Sequence, residues 1–254
     1  MYHIGLINVV MITPDDIELV IGHSDVRRKF IDICISQTDR VYLNTLNEYQ
    51  KTLEQRNSQL KLFSRHKHFD EIIIESYNSK LIPAANYIHK KRSEILAILN
   101  ESFTTIYSEL TSNNESLNFK YSSQLNDQDY SELLKDSIQK DLVLERTTIG
   151  VHKDDIVFEI GDYPLKKFGS QGQSKAFIIA FKLSQFKLFN QLLGSKPILL
   201  LDDMFEKIDE NKAQKLIDLL DSEEFGQIII TDTHSDRVKK HFENGKKNIK
   251  FVDL

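Results

Sequence analysis

The sequence has little cysteine and no long hydrophobic run. Its single cysteine, Cys34, excludes an internal disulfide framework and is typical of a reducing compartment. No apolar stretch approaches the roughly 20 residues of a membrane-spanning helix, and the first residues lack the basic segment of a secretory signal. We therefore predict a cytoplasmic protein without a membrane segment.

An excess of positive charge is also absent. The 254 residues carry a net charge of −5, so binding to nucleic acid would depend on local basic patches. Candidate patches lie at residues 61–68, 90–92 and 237–247. The hydrophobic fraction of 40% and the charged fraction of 28% indicate a globular protein, long enough for one large or two modest domains.

The most informative segment begins at residue 169. The turn Gly169-Ser170-Gln171-Gly172-Gln173 opens an apolar-periodic stretch that continues to residue 193, and the first turn of a helix favours an anion. Residues 198–201 are all apolar, as in a strand buried in a parallel sheet, and Asp202 and Asp203 follow. Each piece alone is also typical of a polar turn or a strand that ends in solvent. Their order and spacing favour a site for nucleotide phosphates and Mg²⁺.

The other segments predict strands at both ends of the chain and helices between them. The predicted helices are two short pieces at 15–22 and 24–30, followed by 39–63, 69–111, 129–144 and 210–220, with Pro83 expected to kink the helix 69–111 or start a new one. The predicted strands are 3–12, 117–121, 156–160, 163–168, 227–231 and 249–252. Arg56 lies on the apolar stripe of its helix, so it should either reach a carboxylate or extend to the surface.

Several motifs resemble those of a known family. The turn at 170–173, Asp202, Asp203 and Asp209 are similar to the signature motif, the Walker B carboxylates and the D-loop of ABC-type ATPases. Four further stretches resemble the RecF family: Pro14-Asp15-Asp16-Ile17, Arg27-Arg28-Lys29-Phe30-Ile31-Asp32, Gln55-Arg56-Asn57 and the run from Arg146 to Asp155. In the last of these, Val151 and Lys153 replace the proline and arginine of the family pattern.

The resemblance implies that the site takes ATP and Mg²⁺. Asp202 would hold the metal, Asp203 would act as the general base, and Thr231 or His234 would sense the γ-phosphate. The residues implied to contact the nucleotide of a dimer partner are Ser170, Gln171, Gly172, Gln173 and Asp209. The implied function is ATP-dependent binding, as a homodimer, to double-stranded DNA at single-strand gaps, together with RecO and RecR, to help load RecA. The basic residues favoured for DNA contact are Arg27, Arg28, Arg56, Lys61 and Lys153.

The predicted fold class is α/β: an ABC-ATPase-like head with a parallel-rich sheet and a mostly helical inserted arm. We expect residues 1–23 and 147–254 to form the head and 24–146 the arm. The Walker A pattern Gly-x-x-x-x-Gly-Lys-Ser/Thr does not occur in the sequence. We therefore expect a RecF-like chain without its first part, which alone would bind ATP weakly and would not hydrolyse it.

Three alternatives remain. A non-catalytic DNA- or partner-binding module would show salt-dependent DNA binding without nucleotide. An SMC-type repair ATPase head would need long sustained heptads, which Pro83 and the polar stretch 112–116 interrupt. An ABC transporter subunit would not account for the Arg-Arg-Lys-Phe and Gln-Arg-Asn runs.

Overall fold

The computed structural model describes residues 7–111, 117–203, 210–233 and 249–252. The chain divides into two compact units. The first, the head unit, comprises Met1–Gly22, Ile98–Phe119 and Phe158–Leu254, and the second, the arm unit, comprises His23–Ala97 and Lys120–Val157. The domain boundaries at 24 and 146 stay a prediction.

A parallel sheet organises the head unit. Its strands are β1 (Val9–Ile12), β5 (Ile198–Asp202) and β6 (Ile228–Thr231), in the order β1-β5-β6, and both pairings are parallel. On one face of the sheet, Val10 and Ile12 of β1 and Leu199 and Leu201 of β5 are fully buried, and the residues of β6 aligned with them are partly buried. Because parallel strands end at the same edge, the residues that follow β5 and β6 lie side by side.

A long helix, α7 (Gln171–Leu193), fills the centre of the head unit. It is buried on almost every side, which explains why its apolar residues extend beyond a single stripe. Phe177 and Phe181 of α7 pack with rings from other segments: Phe103 lies 4.7 Å and Phe158 4.5 Å from Phe177, and Phe119 lies 5.1 Å from Phe181, between ring centroids. These aromatic contacts join three separate parts of the sequence into one core.

Short elements complete the head unit. A 3₁₀ turn at Pro14–Ile17 leads into α1 (Glu18–Ile21). Asp16 in this turn accepts a hydrogen bond from the Thr13 backbone at 2.8 Å and pairs with the buried Lys182 of α7 at 3.1 Å. The C-terminal part of the unit adds β4 (Tyr163–Pro164), α6 (Leu165–Phe168) and α8 (Glu210–Leu220).

The arm unit is mostly helical. It contains α2 (Ser24–Thr38), α3 (Arg40–His66), most of α4 (Glu71–Leu110) and α5 (Tyr130–Leu144). The strands β2 (Leu117–Ser122) and β3 (Asp155–Ile160) run from one unit into the other, as α4 does, and belong to a three-stranded sheet of order β2-β3-β4. The predicted fold class, an α/β head with a parallel sheet and a helical arm, is confirmed.

Two local predictions were wrong, and a third was right in part at most. Of the two outcomes expected at Pro83, a new helix start is excluded because α4 continues through it, whereas a kink stays a prediction. The expected strand 163–168 is only two residues long, since Pro164 lacks the N–H that a strand ladder needs and precedes the helical turn α6. Residues 249–252 are not a strand, and the exposed side chains of Phe251 and Val252 lack the burial that would stabilise one.

Candidate functional site

The tips of β5 and β6 bring two carboxylates and a hydroxyl together. Asp202 is paired in register with Thr231, and the Thr231 hydroxyl donates a hydrogen bond to Asp202 Oδ1 at 2.5 Å. The next residue, Asp203, donates its backbone N–H to the Thr231 carbonyl at 3.0 Å and has a φ of 50°. A non-glycine residue in the left-handed region turns the chain sharply, which Asp tolerates better than most residues. Asp202 and Asp203 are both half-buried residues at the edge of the sheet, and Oδ1 of Asp203 is itself buried.

This donor set fits a magnesium ion that is completed by other ligands. Mg²⁺ prefers oxygen donors and is usually held by one or two carboxylates together with phosphate oxygens and water. Within the described residues, no group of three or more His, Cys, Asp or Glu side chains is arranged around one metal position. Asp202 and Asp203 therefore suit the nucleotide-associated type of magnesium site rather than an all-protein cage.

The turn at 170–173 forms a complete helix cap. Ser170 is the N-cap of α7, and its hydroxyl accepts a hydrogen bond from the Gln173 backbone at 3.1 Å. In return, the Gln173 side chain accepts one from the Ser170 backbone at 2.7 Å. This reciprocal pair fixes the first turn of α7, so that its remaining N–H groups point outward at a defined position.

Two glycines flank this cap in different surroundings. A Cβ atom on Gly169 would lie 2.5 Å from Leu165 Cδ1 and 2.8 Å from the Leu165 carbonyl oxygen, so the fold itself requires glycine there. Of the residues that the structure describes, a Cβ atom on Gly172 would meet only Lys212 Nζ, at 3.6 Å, which is ordinary contact. The structure thus places Lys212, in the first turn of α8, beside the cap. Sequence reasoning missed this neighbour, since nothing in the sequence links positions 172 and 212.

Comparisons with known proteins identify the family. The DNA replication and repair protein RecF of Flavobacterium johnsoniae is 42% identical over 252 residues, which are 99% of this chain and 70% of that protein. The RecF protein of Cytophaga hutchinsonii is 39% identical over 98% of this chain and 66% of its own length. The chain belongs to the RecF family.

The solved structures agree with this assignment to the RecF family. The structure of the recombination mediator protein RecF-ATP in the RecFOR pathway matches with a TM-score of 0.79 and 31% identity, over 92% of this chain and 64% of that one. No protein-family model matches the chain. The chain spans about two thirds of the length of the RecF proteins that it matches.

Two of the residues named for nucleotide contact lie outside the described residues. These are Asp209 and His234. The structure describes the other members of the set, and it groups them in two places. Asp202, Asp203 and Thr231 meet at the sheet edge, whereas the turn at 170–173 lies at the start of α7 beside Lys212.

In the part of the chain that the structure describes, no helix combines the length and apolar character needed to cross a membrane.

Arg56 is not a DNA contact in this RecF-family fold. Its side chain is 0% exposed and donates to Asp141 at 2.8 Å, to Thr147 at 2.7 Å and to Asn78 at 3.1 Å. The buried guanidinium therefore holds α3, α4 and the end of α5 together. The sequence-based expectation of a carboxylate partner is confirmed, and the assignment of Arg56 to a DNA surface was wrong.

The other basic candidates differ in how accessible they are. Arg27 forms a two-pronged ion pair with Asp155, at 2.7 and 3.0 Å. Arg28 is half-buried and donates to the Asp154 carbonyl at 2.6 Å and to Ser24 at 2.7 Å. Lys61 and Lys153 are exposed. Their contact with DNA, like that of Arg28, stays a prediction.

Buried polar groups fix the turn between α5 and β3. Arg92 donates to the Val151 carbonyl at 2.7 Å and pairs with Asp154 at 2.9 Å. His152 lies against Tyr49 Oη at 2.8 Å through Nδ1 and against the Thr147 carbonyl at 3.1 Å through Nε2. Burial lowers the pKa of His152 to about 4. This imidazole is therefore neutral at physiological pH and acts as a structural hydrogen-bonding group.

Proposed function

We propose that this chain carries the signature motif and the Walker B carboxylates of a RecF-type ATPase. The activity we infer is ATP-dependent binding to double-stranded DNA at single-strand gaps, in replication and recombinational repair. Membership of the RecF family supports this proposal. The observation that carries it is the placement of Asp202, Asp203 and Thr231 at neighbouring tips of a parallel sheet.

Each side chain at the sheet edge has a separate task in this proposal. Asp202 holds Mg²⁺ directly or through water, and the Thr231 hydroxyl orients the Asp202 carboxylate by its hydrogen bond. Mg²⁺, when bound, neutralises charge on the phosphate oxygens. Asp203 orients the attacking water and accepts its proton, as its position at the sharp turn after β5 allows.

The capped turn of α7 acts on the nucleotide of a second copy. In an ATP-bound dimer in which each copy is completed by a Walker A segment, Ser170, Gly172 and Gln173 would lie against the γ-phosphate held by the partner's Walker A segment. Asp209 would couple the two sites across the dimer interface, and Thr231 or His234 would sense the γ-phosphate. Closure of the dimer would trap the DNA, and hydrolysis would release it. The proposed setting is the cytoplasm, with RecO and RecR as partners in loading RecA.

The decisive experiment supplies the missing motif. We would fuse residues 1–254 to the part of the Flavobacterium johnsoniae relative that this chain does not cover, in which we expect the Walker A segment, and measure phosphate release and the anisotropy of a labelled gapped duplex with and without ATP. The fusion should retain the duplex only with ATP. Asp203→Asn should leave ATP-dependent retention intact but slow hydrolysis by about 100-fold or more, because the general base is lost. The control Asp218→Asn should match the wild type, because the Asp218 carboxylate is exposed on α8 and accepts a hydrogen bond from the exposed Gln214 one turn away.

Equal retention with and without ATP would favour the non-catalytic DNA-binding module instead. An unchanged rate of ATP hydrolysis in Asp203→Asn would show that Asp203 is not the general base. Circular dichroism and the thermal midpoint of each fusion show whether it is folded. The same substitution at the corresponding aspartate of the full-length relative gives a second measurement in a natural chain.

A further inference from the structure

A lysine from α8 lies against the exposed side of the α7 cap. A Cβ atom placed on Gly172, the second residue of α7, would lie 3.6 Å from Lys212 Nζ. Lys212 is half-buried, whereas Ser170, Gln171 and Gly172 are exposed. The fold therefore holds an ammonium group beside the one part of α7 that is open to a ligand, and it draws that group from a separate helix.

The positive end of α7 lies at the same place. The N–H of Gln173 is bonded to Ser170 Oγ at 3.1 Å, and the N–H of Ser174 is bonded to the Ser170 carbonyl at 2.9 Å. The N–H groups of Gln171 and Gly172 precede the first intrahelical bond, so they remain available on the exposed side of the turn. The helix dipole and a full charge from Lys212 consequently attract an anion to one point.

The charges that flank Lys212 and Gly172 along their helices agree with this. Glu210 precedes Lys212 by two positions, and residues with that spacing point in different directions from a helix. On α7, Lys175 follows Gly172 by three positions and lies on the same side of the helix, where it adds a further positive charge. The contact between the two helix starts is therefore basic.

We propose that Lys212 is a specificity residue for the γ-phosphate of ATP. Its ammonium group, together with the N–H groups of Gln171 and Gly172, would bind the terminal phosphate of the nucleotide that a second copy holds. This inference rests on the proposed function and adds to it a residue that the signature turn does not contain. The inner phosphates are enclosed by the Walker A loop of their own copy, so a second copy reaches only the terminal one. Lys212 would thus distinguish ATP from ADP.

The first experiment uses the 254-residue chain, with inorganic phosphate as the probe. In the ¹⁵N-labelled protein, millimolar phosphate should shift the amide resonances of Gln171 and Gly172, which report on this site alone. Lys212→Gln should weaken the apparent affinity about 5- to 10-fold, as expected for the loss of one charge-assisted hydrogen bond. Lys212→Arg should keep most of the affinity, because the cation is retained. Lys135→Gln is the charge-matched control, since Lys135 is exposed on α5 of the arm unit.

The second experiment uses the Walker A fusion and compares two nucleotides. Lys212→Gln should raise the ATP concentration for half-maximal retention of the gapped duplex by about 10-fold. Binding of fluorescent ADP should be unchanged, because ADP lacks the phosphate that Lys212 would contact. Lys212→Arg should restore retention. A purely structural role would instead weaken both nucleotides alike and lower the thermal midpoint.

Three results would overturn the inference about Lys212. These are wild-type amides at 171 and 172 that do not respond to phosphate, a Lys212→Gln variant that responds like Lys135→Gln, and equal losses of ATP and ADP binding. The outcome is separable from that of the proposed function. If Lys212→Gln behaves as the wild type while the fusion retains DNA only with ATP, the role of Lys212 is wrong and the ATPase proposal stands. If phosphate binding depends on Lys212 while retention is independent of ATP, the ATPase proposal fails and the phosphate site stands.

Discussion

The two glycines around the α7 cap show how one residue type meets two different needs. Gly169 has no room for a side chain, because a Cβ atom would overlap the Leu165 carbonyl oxygen at 2.8 Å. Among the described residues, the only close neighbour of a Cβ atom on Gly172 is the flexible end of Lys212 at 3.6 Å, so these residues leave room for a side chain. Packing within the chain therefore explains Gly169 but not Gly172. Under the proposed function, a phosphate that approaches the helix start closely would account for the second glycine.

Alanine at the two positions should consequently give opposite results. Gly169→Ala should lower the free energy of unfolding by about 1–3 kcal/mol, because Leu165 and its backbone must shift. Gly172→Ala should leave it unchanged or raise it by up to about 1 kcal/mol, since alanine is the better residue in a helix. Urea denaturation of the 254-residue chain measures both values.

In an assay of ATP-dependent DNA retention, Gly172→Ala should be the more damaging of the two substitutions. In the Walker A fusion, Gly172→Ala should reduce ATP-dependent retention of gapped DNA although the protein is fully stable, because the added methyl group blocks the approach of the partner's phosphate. A Gly172→Ala variant that is as unstable as Gly169→Ala, or a stable one with normal retention, would contradict this interpretation of Gly172.

At the scale of elements, the turn between α5 and β3 depends on a neutral histidine. His152 donates its Nε2–H to the Thr147 carbonyl, so in the neutral ring Nδ1 accepts from the Tyr49 hydroxyl. Its pKa is about 4 in the folded chain, below the ordinary value of 6.5, chiefly because burial disfavours the imidazolium form. Between these two values the unfolded chain binds a proton that the folded chain does not, so acidification favours unfolding.

The free energy of unfolding should therefore fall as the pH is lowered from about 6.5 towards about 4. Above about pH 6.5, His152 is neutral in both the folded and the unfolded chain, so it does not reduce the stability there. Between roughly pH 7.5 and 5.5 the loss should be about 1 kcal/mol in the free energy of unfolding. His152→Gln should flatten this part of the profile, because glutamine has no proton to bind. The exposed His66→Gln is the control. Parallel profiles for wild type and His152→Gln would show that another group controls acid stability.

Helices and strands could be predicted from the sequence where a local residue pattern determines them. The prediction was poorer where contacts between residues far apart in the sequence determine the structure. The apolar run before Asp202 and the amphipathic stretch 210–220 predicted β5 and α8 closely. The position of Arg56 on an apolar stripe predicted a buried partner, but its partner Asp141 is 85 residues away, and nothing in either segment identifies the other. The DNA role assigned to Arg56 was wrong for this reason. The turn at Pro164 was missed because one ring removes the N–H that the apparent strand required.

At the scale of the whole molecule, each unit is assembled from separate stretches of sequence. Residues Ile98–Phe119 belong to the head unit although α4 begins in the arm unit. The change occurs in the middle of a continuous helix, where no glycine, proline or polar break marks it. The α/β class and the presence of a helical arm follow from local patterns, whereas the point at which a long helix changes unit depends on packing with Phe158, Phe177 and other distant residues.

The parallel sheet of the head unit has one buried and one accessible face. Met11, Leu200 and Ile229 are aligned across the three strands by the register, and Met11 and Ile229 are each 45% exposed. On the same strand as Met11, Val10 points to the other face and is 1% exposed. A row of apolar side chains across three strands is a surface that favours self-association.

Threonine on the accessible face should therefore reduce aggregation of the 254-residue chain with little cost in stability. Met11→Thr with Ile229→Thr should lower light scattering and the binding of a hydrophobic dye, and should change the free energy of unfolding by no more than about 0.5 kcal/mol per site, because threonine suits a strand and neither side chain is buried. Val10→Thr is the matched control on the opposite face, where a buried hydroxyl should cost about 1–3 kcal/mol. If the double variant scatters light and binds dye as the wild type does, the apolar row is not the surface through which copies of the chain associate.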